Sequence, residues 1–128
     1  MAHSYLIKAT TKFAAAHALR GYQGDCARIH GHNWTVEAEV LATALDHLGI
    51  AIDFRTLETN MRKVADIVEH QYLNEIVPFN DINPTAENIA AWFFSKLKKI
   101  ISSKSCTLQA ITIWETDRFS IRYSESNA

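Results

Sequence analysis

Four of the six histidines and one of the two cysteines stand where side chains can do chemistry. His30 and His32 flank Gly31. In an extended chain, residues two apart project to the same side. Both imidazoles therefore share the register of Trp34 and Val36, which is the apolar one. His17 keeps the odd register of Phe13 and Ala15, provided that its strand persists through Ala16. Three imidazoles from two neighbouring strands then converge on one face. Zinc takes neutral imidazole readily, and a three-histidine site leaves a fourth tetrahedral position for water or substrate. The competing account makes each histidine an ordinary core or surface residue. Cys26 lies four residues before His30, in a Cys-x-x-x-His-x-His spacing. It is either a further ligand that closes a structural site, or a free thiolate whose pKa the metal lowers and which acts as a base. Spacing does not separate the two. Its loop, from Gly21 to Cys26, is glycine-rich and polar, as active-site loops often are. Cys106 opens an apolar strand and reads as packing.

Regular elements must position these groups. From Tyr5 to Phe13, apolar Tyr5, Ile7, Ala9 and Phe13 alternate with Lys8, Thr10 and Lys12, a strand with one buried face. From about Asn33 to Leu41, Trp34, Val36, Ala38 and Val40 alternate with Thr35, Glu37 and Glu39. Asp53 reads as the N-cap of a helix with the stripe Phe54, Leu57, Met61, Val64 and Val68. Asn83-Pro84 starts a second helix, with proline acceptable at the first helical position. Its stripe is Ala86, Ile89, Ala90, Phe93, Leu97 and Ile100, and Lys96, Lys98 and Lys99 suit its C-terminal end. Two strands close the chain, Thr107–Glu115 and the alternating stretch Phe119–Ser124, with a hairpin turn at Thr116–Arg118. The order β-β-α-α-β-β predicts an α+β fold: a four-stranded antiparallel sheet with two helices on one face. The open edges of such a sheet need cover, and edge-to-edge self-association is one way to supply it.

At 128 residues the chain is sized for a single domain, 1–128. Its net charge of −1 offers no basic field for a phosphate backbone or an anionic membrane, so neither nucleic acid nor membrane is an expected partner. Hydrophobic residues make up 48% and charged residues 21%, which supports a packed core and argues against disorder. No apolar run approaches the roughly 18 residues of a membrane span. Met1–Lys12 lacks the apolar stretch and cleavage site of a secretory signal. Two thiols in unlike contexts make no disulfide framework, so a cytoplasmic protein with reduced cysteines is expected.

Six segments occur in a telling order: Phe13–His17, Cys26–His32, Gly49–Phe54, His70–Asn74, Asn83–Asn88 and Trp114–Thr116. Together they resemble the 6-pyruvoyl-tetrahydropterin synthase family across nearly the whole chain, from about Lys8 to Tyr123. The compact length, the three-residue gap between Cys26 and His30 and the Ile52-Asp53-Phe54 run are most similar to its bacterial branch. That branch makes 6-carboxy-5,6,7,8-tetrahydropterin in the queuosine pathway.

The resemblance implies a zinc-dependent lyase acting on 7,8-dihydroneopterin triphosphate, with His17, His30 and His32 as zinc ligands. Cys26 matches the catalytic thiol and His70 the catalytic histidine. The residue before that histidine, normally Asp, is Glu69 here, a longer carboxylate with different geometry. Glu115 matches the glutamate that anchors the pterin ring, and Thr85 a threonine that contacts it. Arg28 is a candidate for the phosphates. The implied fold is the tunnelling fold, a homohexamer built as a dimer of trimers with active sites between subunits.

The residues themselves allow these roles and others. One carboxylate can accept the two parallel donors of a pterin's 2-amino and N3–H edge, and Glu115 at a strand end suits that; it also reads as a solvated glutamate. Taken by itself, His70 reads as a capping residue at the end of the first helix with no catalytic part. Helix neighbours i and i+1 do not face each other, so Glu69 serves His70 only if the helix has ended or one of them works across a subunit boundary. Thr85 reads also as a first-turn cap, and Arg28 as a solvated loop residue. Two other readings of the same residues remain open: an enzyme that makes 6-pyruvoyl-tetrahydropterin, and a non-catalytic Cys-His₃ zinc module.

Overall fold

The computed structural model describes residues 3–101 and 103–126; the first two residues of the Met1–Lys12 segment lie outside them. Strands β1 (Tyr5–His17) and β2 (His30–Ala42) pair antiparallel along their whole length, from Tyr5↔Ala42 to His17↔His30. The condition on His17 is met, because β1 continues through Ala16. Alternation then sends Phe13, Ala15 and His17, with Trp34, Val36, Ala38 and Val40, to the buried face. Phe13 and Trp34 stack at 6.0 Å between ring centres.

Helix α1 (Phe54–Val68) begins as expected at Asp53, whose carboxylate accepts from the Arg55 and Thr56 amides at 2.8 and 3.2 Å. Leu57, Met61, Val64 and Val68 are buried, whereas Phe54, at the edge of the stripe, is 70% exposed. Helix α2 spans Ala86–Ile101 and buries Ile89, Ala90, Phe93 and Leu97, with Trp92 and Phe94 beside them. Ile100 is exposed. Its start differs from the sequence reading. Thr85 is the cap, its hydroxyl accepting from the Asn88 amide at 3.1 Å, and Pro84 precedes that cap. Helix α1 packs on β1, and α2 on β4 (Cys106–Trp114) and β5 (Ser120–Tyr123). The β4–β5 hairpin closes as expected, the Glu115 amide donating to the Phe119 carbonyl at 3.1 Å and the Arg118 amide to the Thr116 hydroxyl at 3.1 Å. Cys106 is buried, its thiol 3.2 Å from the Ala51 carbonyl, as packing requires.

The expected four-stranded antiparallel sheet needs one correction. Among the described residues the sheet has five strands in the order β3-β1-β2-β4-β5 and is mixed. The added strand, β3 (Gln71–Tyr72), pairs parallel with Ala15 and Ala16 of β1. A parallel partner needs a long crossover, and α1 supplies it. Two residues carry no period, so the alternation test had nothing to detect. Among the described residues no helix is long and apolar enough to cross a membrane.

One polar pair is built into the sheet. Glu39, almost fully buried, accepts from Arg122 Nε at 2.8 Å and Nη2 at 3.1 Å. Those hydrogen bonds, with the charges of Arg122 and Lys8, hold the Glu39 carboxyl below its ordinary value against the opposing effect of burial. A lowered carboxylate pKa stabilises the fold fully above the unfolded value of about 4.3, and the contribution is lost as pH falls through the folded value. Glu39→Gln is expected to cost about 1–3 kcal/mol at neutral pH, the scale of a hydrogen bond to a charged group. The gap to wild type should narrow in acid, as urea unfolding at both pH values will show.

Candidate metal centre

The β1–β2 register assembles the centre. His17 faces His30 across the ribbon, and Ala15 faces His32. The three imidazole centres lie 4.5, 5.3 and 4.9 Å apart for the pairs His17–His30, His17–His32 and His30–His32. Trp34 supports them, its ring centre 4.9 Å from His17 and 5.2 Å from His32. Its indole N–H is tied to the Ala15 carbonyl at 3.2 Å.

Two of the rings are aimed by backbone carbonyls. His17 Nδ1 donates to the Pro84 carbonyl at 2.8 Å, and His30 Nδ1 to the Arg28 carbonyl at 2.7 Å. A carbonyl oxygen only accepts, so each ring carries a proton on Nδ1, which leaves Nε2 as the atom free to ligate. His17 Nε2 and His32 Nε2 are buried with no hydrogen-bond partner. Glu115, just beyond β4, brings Oε1 to 3.0 Å from His32 Nε2, at ion-pair distance. One ligand atom from each of His17, His30, His32 and Glu115 lies within 4.8 Å of all the others.

Electrostatics favour the neutral form of His17 and His32. Burial pushes His17 below its ordinary value, the Pro84 carbonyl opposing and the neighbouring His30 adding to the push. Burial does the same to His32, against the pull of Glu115. Neutral imidazole is the form a metal binds. A buried polar atom without a partner costs about 1–3 kcal/mol, and a divalent cation among these nitrogens would satisfy both orphans at once. Three imidazole nitrogens are a donor set that suits zinc and leaves a fourth position open, beside which Glu115 stands. The residues fit the group.

The other sequence-predicted residues lie around this cluster or apart from it. Cys26 sits in a single 3₁₀ turn, Asp25–Ala27, partly exposed, and its sulfur is not a member of the four-residue group. Helix α1 ends at Val68, and Glu69 caps it in an extended conformation. His70 therefore stands past the helix rather than near its end within it, with φ of 58° and its amide donating to the Ala14 carbonyl at 2.7 Å. Because the helix has ended, the two neighbours do meet. Glu69 Oε1 lies 3.6 Å from His70 Nε2, while Oε2 accepts from the Ala14 amide at 2.8 Å. Arg62 Nη2 approaches that same Oε2 at 3.8 Å. The His70 side chain is largely exposed and borders a depression of about 490 Å³ with Ala14, Ala16, Asn33 and Tyr72. Thr85 caps α2, and Arg28 is exposed, contributing its carbonyl to His30.

Sequence reasoning missed Pro84, Asn74, Asn83 and Arg20. Asn74 and Asn83 stand inside two of the motifs that carry the resemblance. Their partners, Ala18 and Arg20, are 56 and 63 residues away, and no local pattern links them.

The molecule thus combines two helices and a mixed sheet with three histidines gathered at the end of its longest ribbon. The chain belongs to the 6-pyruvoyl tetrahydropterin synthase family, whose model matches residues 6–126. Among its relatives, the 6-carboxy-5,6,7,8-tetrahydropterin synthase of Synechocystis sp. is 32% identical over 124 residues, covering 93% of this chain and 92% of that one. A putative 6-carboxy-5,6,7,8-tetrahydropterin synthase of Archaeoglobus fulgidus is 34% identical over 97 residues, covering 76% and 79%. The solved structure of Caenorhabditis elegans 6-pyruvoyl tetrahydropterin synthase superposes with a TM-score of 0.87 at 28% identity, covering 98% of both chains.

Proposed function

We propose that the protein is a zinc-dependent carbon–carbon lyase of the queuosine pathway. It converts 7,8-dihydroneopterin triphosphate and water to 6-carboxy-5,6,7,8-tetrahydropterin, acetaldehyde and triphosphate. The observation that carries this reading is the convergence of three imidazoles and Glu115 within 4.8 Å, two of the nitrogens buried and unpartnered. Relatives named for the carboxy product, at 32% and 34% identity, support the choice of reaction.

His17, His30 and His32 would hold the zinc, which when bound supplies Lewis acidity to the substrate's side-chain hydroxyls. Glu115 accepts the 2-amino and N3–H donors of the pterin and sets the ring beside the imidazoles, so the reacting side chain is held where it is needed. Cys26 is the base that removes the side-chain proton, a role open to a thiol outside the ligand group. His70, with Glu69 3.6 Å away, relays protons on the opposite side of the substrate. Arg28 meets the triphosphate with its exposed guanidinium. Thr85 accepts from the Asn88 amide and keeps its own O–H for the pterin. His70 lines the depression that His32 also borders, and the family resemblance further implies a cytoplasmic dimer of trimers with sites completed between subunits.

The test is incubation of the zinc-loaded protein with 7,8-dihydroneopterin triphosphate, with and without a chelator, followed by mass analysis of the pterin and assay of acetaldehyde. The expected result is the carboxy product with acetaldehyde, abolished by chelation and restored by zinc. A pyruvoyl product without acetaldehyde moves the protein to the other branch, the reading favoured by the C. elegans likeness. Bound zinc with no pterin turnover overturns the assignment.

A further inference from the structure

We infer that Asn83 is a positioning residue for the histidine centre: its side chain fixes the Pro84 carbonyl that aims His17. The inference rests on the metal reading above. Beyond His17, β1 ends, and Ala18–Arg20 runs beside the loop that leads to α2. Side-chain amides replace a backbone ladder here. Asn74 and Ala18 exchange two hydrogen bonds, at 2.9 and 2.8 Å. Asn83 and Arg20 exchange two more, both at 2.9 Å. A carboxamide carries a carbonyl acceptor and N–H donors, so each asparagine mimics a peptide group in a sheet.

The residue after Asn83 explains why this matters. Pro84 has no N–H, so its own nitrogen cannot anchor the segment. Its carbonyl, the His17 acceptor at 2.8 Å, takes its position from its neighbours. Asn83 is held from both sides. Arg20 grips its side chain, while its carbonyl accepts from the Thr85 amide at 2.9 Å and from Asn88 Nδ2 at 2.8 Å, both at the start of α2. Loosening the Arg20 grip frees the Pro84 carbonyl, and with it the tautomer and direction of His17. Hydrogen-bond partners of metal-ligating histidines typically change metal affinity by about 10–100-fold when lost.

The test uses the full chain and two readouts besides activity. Zinc affinity is measured by competition with a chromophoric chelator. The His17 tautomer is read in the metal-free protein, at fixed pH, from long-range ¹H–¹⁵N correlations of the imidazoles. Asn83→Ala is expected to weaken zinc binding by about 10–100-fold and to erase the Nδ1–H pattern of His17. Asn83→Asp keeps the shape and the acceptor for the Arg20 amide but sets a second oxygen against the Arg20 carbonyl, and should weaken zinc binding as Asn83→Ala does. Ile111→Val, in the core of β4, controls for general loss of stability. Wild-type zinc affinity in Asn83→Ala, or a loss no larger than that of Ile111→Val, overturns the inference, as does an unchanged His17 tautomer. Failure of the wild type to bind zinc would refute the metal reading instead, and the tautomer comparison would still judge Asn83.

Discussion

With alanine at position 26, zinc is expected to stay bound at wild-type stoichiometry while kcat falls by about 10²–10⁴-fold, the usual contribution of a positioned acid or base. The expectation follows from where the sulfur lies. Cys26 belongs to a short 3₁₀ turn, partly exposed, and is not among the four residues whose donor atoms cluster. A residue outside that set can be removed without opening it. The turn itself is held by its backbone, the Cys26 carbonyl accepting from the Leu19 amide at 2.8 Å, so truncation of the side chain leaves the loop in place. Zinc analysis and steady-state kinetics on the same preparation decide the matter. Zinc lost together with the thiol would make the sulfur a ligand and the site structural.

Alanine at His32 should do the opposite, with loss of metal first and of turnover as a consequence. His32 is a better choice than His17. The His17 ring is almost wholly buried against Trp34, and its removal would add a cavity to the loss of a donor. Removing a direct ligand should weaken zinc by more than the roughly 100-fold that marks the upper range for supporting residues. The thermal midpoint of the metal-free form should move little. In the wild type, protons compete with the metal for the same nitrogens. Burial holds His17 and His32 below their ordinary values, so zinc should be retained somewhat below pH 6.5, the ordinary histidine value, and released as pH falls through the lowered ones. Equilibrium dialysis against buffers of falling pH measures this. Wild-type affinity in His32→Ala would remove that residue from the ligand set.

The parts of the molecule that alternate are legible in the sequence itself. Tyr5–Phe13 and the run from Trp34 to Val40 show a period of two because only one face of each strand meets the core. Asp53 was legible as a cap because capping is a local hydrogen bond between neighbours in the chain. The strand β3 was not, since two residues hold no period. Phe54 and Ile100 matched the helical stripe yet face outward, because a stripe read from spacing has no marked edges. Read from sequence, α2 starts two residues early, at Pro84 rather than Ala86, since a proline before the cap and a proline after it look alike in sequence. At the centre, the shared face of His30 and His32 followed from their spacing alone. The approach of Glu115 to His32, 83 residues earlier, and the hold of Pro84 on His17 did not, because they depend on how distant elements fold together. Nothing local told whether Glu69 and His70 could meet; the end of α1 at Val68 settles that.

The pairing of β1 with β2 has a further consequence for how this protein can change over time. Side chains on a strand swap sides with every rung, so a slip of a single residue between these two strands would carry imidazoles away from one another. What prevents the slip is the apolar row that includes Phe13, Trp34 and Val36, far more than any histidine. The oily residues thus act as the jig in which the donor atoms are aligned. Mutations that shuffle greasy positions along the ribbon, harmless by composition, would erase the chemistry with every donor residue still in the chain.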